Sequence, residues 1–221
     1  MPNTISHLAF AEETYRRLSP IITLDRVNFL SGNLIPDLSV DKGQSHYRKS
    51  SSIYGLLVPD LSKASNDLFK VEDSIKLGMY AHLYLDYYFI EHFLIHRFIW
   101  DVPNMEVINP KTNHHWSVYD FFSQKGLYGA YTQVSQSMLN SGYVSFDTIK
   151  EIPEFLPETG IVFFDNRNNM TWKNELEYHL GIQPTNYSGE ILDYRILWSF
   201  IEKMADKFVT DFFGTKHTET A

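Results

Sequence analysis

The segment Tyr80-Ala-His-Leu-Tyr-Leu-Asp-Tyr-Tyr-Phe-Ile-Glu-His92 lies in the longest periodic stretch of the chain and limits what that stretch can become. Residues four apart on an α-helix share a face, so His82 and Asp86 point an imidazole and a carboxylate the same way. At about 100° per residue, His82, Asp86, His92 and His96 fall within a sector about 120° wide, together with Phe89 and Phe93. Ionisable groups on an apolar face are costly to bury unless something satisfies them. Asp37 and His46 bring a second carboxylate and imidazole from a preceding loop, and His7 brings a third imidazole from near the N-terminus. Nitrogen and oxygen donors gathered from separated elements are what a catalytic divalent metal site needs. On a regular helix Asp86 and His92 stand about 9 Å apart, too far for one ion but suited to two ions sharing a carboxylate.

Each of these residues also has an ordinary reading. His96 alone reads as a hydrogen-bonded core histidine, and His92 admits that reading and the ligand reading alike. His82 and Asp86 could form a buried hydrogen bond with no metal. Asp37 could cap a turn after Pro36, His46 could be an exposed loop residue beside Tyr47 and Arg48, and His7 could sit exposed in a first helical turn. Their joint occurrence is what favours a metal centre.

Composition narrows the chemistry. The chain has no cysteine, which removes disulfides, thiolate zinc sites and a Cys nucleophile together. Any metal must then be held by His, Asp, Glu or water. A net charge of −8 argues against a nucleic-acid surface, which rests on clustered Lys and Arg. Hydrophobic residues make up 43% of 221 residues and aromatics 15%, enough for one sizeable core and incompatible with a disordered chain. The start, Met1 to His7, lacks a basic stretch followed by an apolar one and is not expected to be a secretory signal. The apolar run from Tyr87 to Trp100 is broken by Glu91, His92, His96 and Arg97, so it is not expected to span a bilayer. A cytoplasmic protein is expected.

The chain reads as all-α, a single domain over residues 1–221: a multi-helix bundle with an irregular, loop-rich middle. Helices are expected from an Asn3 or Thr4 cap to about Leu18, over Asp25 to Leu34 with a stop at Pro36, and over Leu61 to Phe69. A long helix is expected from about Glu72-Asp73 to Trp100, then helices over Trp116 to Met138, Trp172 to Leu180 and Glu190 to Phe213. Ser39 to Ser52, Val102 to Thr112 and Ser141 to Arg167 read as loops, the last with short helical pieces, and Gly160-Ile-Val-Phe-Phe164 could be a strand. The aromatic middle, Trp116 to Tyr131, reads as packing before it reads as a pocket. The apolar face of the last helix, with Ile191, Leu192, Ile196, Leu197 and Phe200, could dock on a partner and make a homo-oligomer.

Asn33-Leu-Ile-Pro-Asp37, then Ser45-His46, then His82-x3-Asp86-x5-His92, resemble the zinc-dependent phospholipase C family, all-α phosphodiesterases with a three-metal site. The opening Met-Pro-Asn-Thr-Ile-Ser-His7-Leu is similar to the start of the family's intracellular bacterial members, and the resemblance covers about the first hundred residues. It implies that Asp37, His46, His82 and Asp86 hold a first metal with Asp86 bridging, that His7 serves the neighbouring ion, and that His92 begins a further site. The family's later His-x3-Glu pair is missing at the expected distance, leaving His96, His114, His115 and Asp120 as substitutes and one to three ions as the expectation. Zinc is implied, although iron or manganese suits the same ligands.

The implied activity is a metal-dependent hydrolysis of a small-molecule or lipid phosphodiester, with Asp37 as ligand and proton acceptor. No G-x-S-x-G, Walker A or G-x-G-x-x-G motif supports a serine hydrolase, nucleoside-triphosphatase or Rossmann enzyme. Two alternatives stand beside it. One is an HD-type nucleotide phosphohydrolase, against which the absence of a His-Asp dipeptide counts. The other is a non-catalytic helical protein with a degenerate metal site.

Overall fold

Asn3 starts the first helix as its spacing predicts, its side-chain oxygen accepting from the Ser6 N–H at 3.1 Å and thereby satisfying one of the orphan donors of the first turn. The computed structural model describes residues 2–53, 55–167, 172–181 and 190–214. Helix α1 spans Thr4–Leu18, and α2 (Arg26–Leu38) is capped by Asp25. A single turn α3 (Lys42–Ser45) and a two-stranded antiparallel ribbon, β1 (Arg48–Ser50) with β2 (Leu57–Pro59), come next. Helix α4 (Leu61–Leu68) is capped by Asp60, and α5 (Ser74–Tyr88) by Asp73. A π-helical turn, Phe89–Leu94, and a short α6 (Ile95–Arg97) continue α5. Strands β3 (Ile99–Asp101), β4 (Glu106–Ile108) and β5 (His115–Ser117) form a small antiparallel sheet in that order. Then come α7 (Val118–Phe121), α8 (Leu127–Asn140), α9 (Phe146–Glu151), α10 (Val162–Asp165), α11 (Trp172–Gly181) and α12 (Tyr194–Phe213).

The all-α architecture expected from the sequence holds, with local differences: the single helix expected over Trp116 to Met138 is instead β5, α7 and α8, broken before Gly126, and the loop expected over Ser39 to Ser52 contains α3 and β1. Pro36 does not stop α2, which carries Asp37 and Leu38 in its last turn. A proline near a C-terminus forfeits only one backbone bond, to the carbonyl four residues back. The expected continuous helix to Trp100 instead ends at Arg97, and the stretch expected to be irregular contains a hairpin, Ile99 pairing Ile108 and Asp101 pairing Glu106. Gly160 to Phe164 is not a strand, since Val162–Asp165 is a helical turn.

Helix α5 is the axis of the bundle. On one side an aromatic cluster joins it to α1 and α12, with Phe10 at 6.3 Å and Tyr84 at 5.0 Å from Phe208 between ring centroids, both edge-on. Tyr84 extends its hydroxyl to donate to Asp211 at 2.7 Å. Of the apolar residues that suggested a docking face, Ile191 and Leu192, which precede α12, and Leu197 and Phe200 on it are buried in this chain's own core, and Ile196 is left 40% exposed. Among the described residues no helix is long and apolar enough to cross a membrane.

On its other side α5 meets α2 at a pair of glycines. A β-carbon on Gly32 would lie 2.0 Å from the Ile75 carbonyl oxygen, and one on Gly78 would lie 2.1 Å from the Phe29 carbonyl oxygen. The two backbones therefore touch, and only hydrogen fits at either position. Asn33 locks the register by donating from Nδ2 to the Gly78 carbonyl at 3.3 Å. Gly78→Ala should force the helices apart and cost on the order of 1–3 kcal/mol by overpacking, read as a lower urea midpoint with unchanged slope. A stable, fully metal-binding variant would contradict so close a contact.

Candidate metal centre

Five of the residues singled out in the sequence converge. His7 lies on α1, Asp37 in the last turn of α2, His46 at the end of α3, and His82 and Asp86 on α5. The Gly32–Gly78 contact brings the end of α2 over the middle of α5, which sets Asp37 beside His82. Four of the five are buried, and Asp37 alone keeps appreciable exposure, 17%, with the Lys42 ammonium at 3.5 Å.

The His82 and His46 rings are held from behind. His82 Nδ1–H donates to the Asn33 carbonyl at 2.7 Å, which in the neutral ring leaves Nε2 as a lone pair aimed at the cluster. Ser45 donates its hydroxyl proton to the Pro36 carbonyl at 3.0 Å, so its oxygen can accept only from His46 Nδ1–H, also at 3.0 Å. His46 Nε2 is thereby freed as an acceptor as well. His7 stacks on His82 with centroids 3.7 Å apart and planes within 8°. Backbone and hydroxyl partners that fix the tautomer are the usual surroundings of metal-ligating imidazoles.

The inward-facing atoms do not hydrogen-bond one another. His7 Nε2, His46 Nε2, His82 Nε2 and both Asp86 oxygens are buried with no partner. Asp86 Oδ2 is 3.4 Å from His46 Nε2 and 3.6 Å from His82 Nε2, while Asp37 reaches the same two nitrogens at 3.4 and 3.8 Å. Donors at about 2.1 Å from one tetrahedral zinc are about 3.4 Å apart, so these spacings fit ligands around a common ion better than hydrogen-bonded pairs. The other Asp86 oxygen, Oδ1, turns to His7 Nε2 at 3.4 Å. Asp37, His46, His82 and Asp86 could thus hold one ion, and Asp86 with His7 could contribute to a second. Orphaned lone pairs in a dry interior cost several kcal/mol in the absence of a cation, and the donor set, imidazole and carboxylate, is one that zinc accepts.

Charge inside the cluster is strongly coupled. Burial would raise the carboxyl groups of Asp37 and Asp86, but the charge of His82, followed by its imidazole neighbours, outweighs burial and holds both well below the usual carboxylate range. Burial also opposes charge on His82, yet Asp37 and then Asp86 overcome it and raise that imidazole. His7 goes the other way: burial first, then the charge of His82, lower it to about 4.

His92 is not part of this cluster. The π turn replaces bonds to the fourth preceding residue by bonds to the fifth, which inserts one extra residue and rotates the downstream side chains by about 100°. His92 is turned out of the His82–Asp86 sector, lies exposed and stacks on Tyr88 with centroids 4.8 Å apart. The proposed substitutes are equally remote in their contacts: His96 is exposed near His92, His114 pairs with Glu190 at 2.9 Å, His115 pairs with Glu106 at 3.0 Å, and the Asp120 carboxylate accepts from the Ser117 hydroxyl, whose oxygen accepts in turn from the Asp120 N–H. Sequence reasoning overlooked Tyr131 on α8 as anything beyond packing. Its buried hydroxyl has no hydrogen-bond partner, and burial followed by the charge of Asp86 raises it well above the usual phenol range. Trp172 was also missed. With Thr4, Leu34 and Leu38 it closes a cavity of about 10 Å³ against His7, Asp37 and His82, room for about one water. Neither residue has a distinguishing sequence signal, since both sit in ordinary helical patterns.

Compared with known proteins, residues 2–123 match the family model described as zinc dependent phospholipase C, more than half of the chain. No curated protein and no solved structure matches the chain.

The metal-free protein should lose stability on acidification in a defined window. His7 titrates near 6.5 when unfolded and near 4 when folded, so the unfolded chain takes up the extra proton between those values and stability falls as pH falls through them. His82, raised in the fold, opposes this loss only at the top of the window, where the unfolded chain is still taking up its own proton, and adds little slope below it. The loss should be on the order of 3 kcal/mol, followed below pH 3.8 by protonation of Asp37 and Asp86. Urea titrations of chelator-treated protein at pH 6.5 and 4 read it out, and His7→Phe should flatten the slope. An equally steep slope in that variant would place the titration elsewhere.

Proposed function

Because this chain belongs to the zinc-dependent phospholipase C family, we propose that it hydrolyses phosphodiesters, with a phospholipid or a smaller phosphodiester as substrate, at the centre formed by His7, Asp37, His46, His82 and Asp86. The supporting observation is the set of buried imidazole and carboxylate atoms that face one another without hydrogen bonds. When bound, zinc supplies positive charge against phosphoryl oxygens and makes water acidic enough to act as a nucleophile near neutral pH.

The chain's own residues divide the remaining work. His46 and His82 present fixed Nε2 lone pairs because Ser45 and the Asn33 carbonyl hold their other nitrogens. Asp86 turns one oxygen toward His7 and the other toward His46, so it would help to hold metal from both sides of the centre. Asp37 is the member that reaches solvent, and it is ionised at neutral pH, so it can accept the proton that attacking water loses. Lys42, 3.5 Å from Asp37, places a cation where a phosphate would arrive. The cavity inside the centre is too small for a diester, so the substrate approaches from the Asp37 side. His92 has no part in this reading.

Elemental analysis and turnover of a chromogenic phosphodiester test the assignment together. Chelation should abolish turnover and zinc should restore it. His82→Ala should lose metal and activity at once, whereas His92→Ala should keep both. Asp37→Asn should keep some metal and lower turnover by about 100-fold or more. Activity in His82→Ala, or preference for a nucleoside monophosphate over the diester, would remove the proposal.

A further inference from the structure

We infer that the groove between the π turn with α6 and the first turns of α12 is a second site, separate from the metal centre, that binds a phosphate-bearing anion. The groove is open and holds about 400 Å³. His92, His96, Arg97, Arg195 and Lys203 line it, and none of its lining residues is acidic, although the chain carries a net charge of −8.

The concentration of positive groups comes from local structure. On a regular helix His92 would lie at the far edge of the sector that holds His82 and Asp86. The π turn swings it out beside His96, across from the α12 side chains. Three carboxylates of the flanking segments have partners of their own, although Asp193 also acts on Arg195 through its charge. Glu91 accepts from the Ser52 N–H and hydroxyl at 2.9 and 2.6 Å, Asp193 caps α12 by accepting from the Arg195 and Ile196 N–H groups, and Asp211 pairs with Lys207 at 2.9 Å. The field is felt at His92, which is lowered by burial and then by His96 and Lys207, with Glu91 opposing.

Chemistry selects the ligand class. Arg97 and Arg195, the latter donating from Nε to the Tyr194 hydroxyl at 3.2 Å and keeping its two terminal nitrogens, bring guanidinium charge that suits anion oxygens, Lys203 adds a point charge, and the two imidazoles supply further donors. So many donors suit a tetrahedral dianion better than a carboxylate. The floor is apolar: Phe93 and Phe200 are buried with ring centroids 4.9 Å apart, and the Arg97 guanidinium lies 5.0 Å from the Phe93 ring centroid. An alkyl or aryl group attached to the phosphate would rest there, so a phosphate ester should bind more tightly than inorganic phosphate.

The test uses the zinc-loaded full chain, with histidine imidazole resonances observed by NMR at constant ionic strength. Inorganic phosphate and, more tightly, butyl phosphate should shift His92 and His96 saturably, whereas chloride and acetate should not. Arg195→Ala with Lys203→Ala should weaken butyl phosphate binding about tenfold or more, with circular dichroism, metal content and diester turnover unchanged. Sedimentation with phosphatidylcholine vesicles containing phosphatidic acid, lost in the double variant, would assign the anion to a lipid headgroup. A response to butyl phosphate without such sedimentation would assign it to a soluble ester. Shifts that fail to saturate, that acetate reproduces, or that survive the double variant overturn the inference. Because these readouts do not require hydrolysis, they stand or fall apart from the metal-centre reading.

Discussion

The Gly32–Gly78 contact is the constraint on which the rest of the molecule depends. Two helix backbones can approach this closely only where neither carries a β-carbon, and here each glycine abuts a carbonyl of the other helix. The register so imposed has chemical consequences. It puts the Asn33 carbonyl against His82 Nδ1 and its amide against the Gly78 carbonyl, and it carries Asp37 to within 3.8 Å of His82 Nε2. A wider crossing would leave the same side chains on the same helices and separate the donors beyond the reach of one ion.

The cluster that results is a poor solution to folding alone. Its inward-facing imidazole nitrogens and the Asp86 oxygens are buried and left without hydrogen-bond partners, and two of its rings are fixed from behind. Sequences usually agree with their structure at every level except where function demands otherwise. Inward-facing lone pairs held by second partners on Ser45 and Asn33 are such an exception, and a bound cation is the agent that would relieve it. Without one, the charges must compensate among themselves, which is why His82 is raised, Asp37 and Asp86 are lowered, and the stacked His7 is driven toward neutrality.

Much of this was legible in the chain because helical geometry is short-ranged. The i, i+4 spacing of His82 and Asp86, the Asn3 cap, and the acidic caps at Asp25 and Asp73 depend on neighbours a turn away, and each appears where the spacing put it. The convergence of His7, Asp37 and His46 could be suspected only from the pattern of residue types, since it depends on helix crossings that no local rule supplies. The misplaced features share a cause. Pro36 inside α2, the hairpin Ile99–Ile108 and the π turn are decided by tertiary packing, which overrides what local propensity favours. Tyr131 and Trp172 were hidden for a different reason: an aromatic residue beside a polar centre has the same periodicity as one in an ordinary core.

The π turn divides one continuous helical run into two chemical environments. Upstream, His82 and Asp86 share an inward face; six residues beyond Asp86, His92 stands in a solvent-open groove with opposite electrostatic character. A regular helix would have placed all of these groups on one face, mixing the donor cluster with cations of the surface. One inserted residue avoids that, at the modest cost of weaker π-type hydrogen bonds. The buried packing of Phe89 on Phe93, and of Phe93 on Phe200, then anchors the turn to α12. The same insertion therefore keeps a fourth imidazole out of the donor cluster and supplies one wall of the cationic groove.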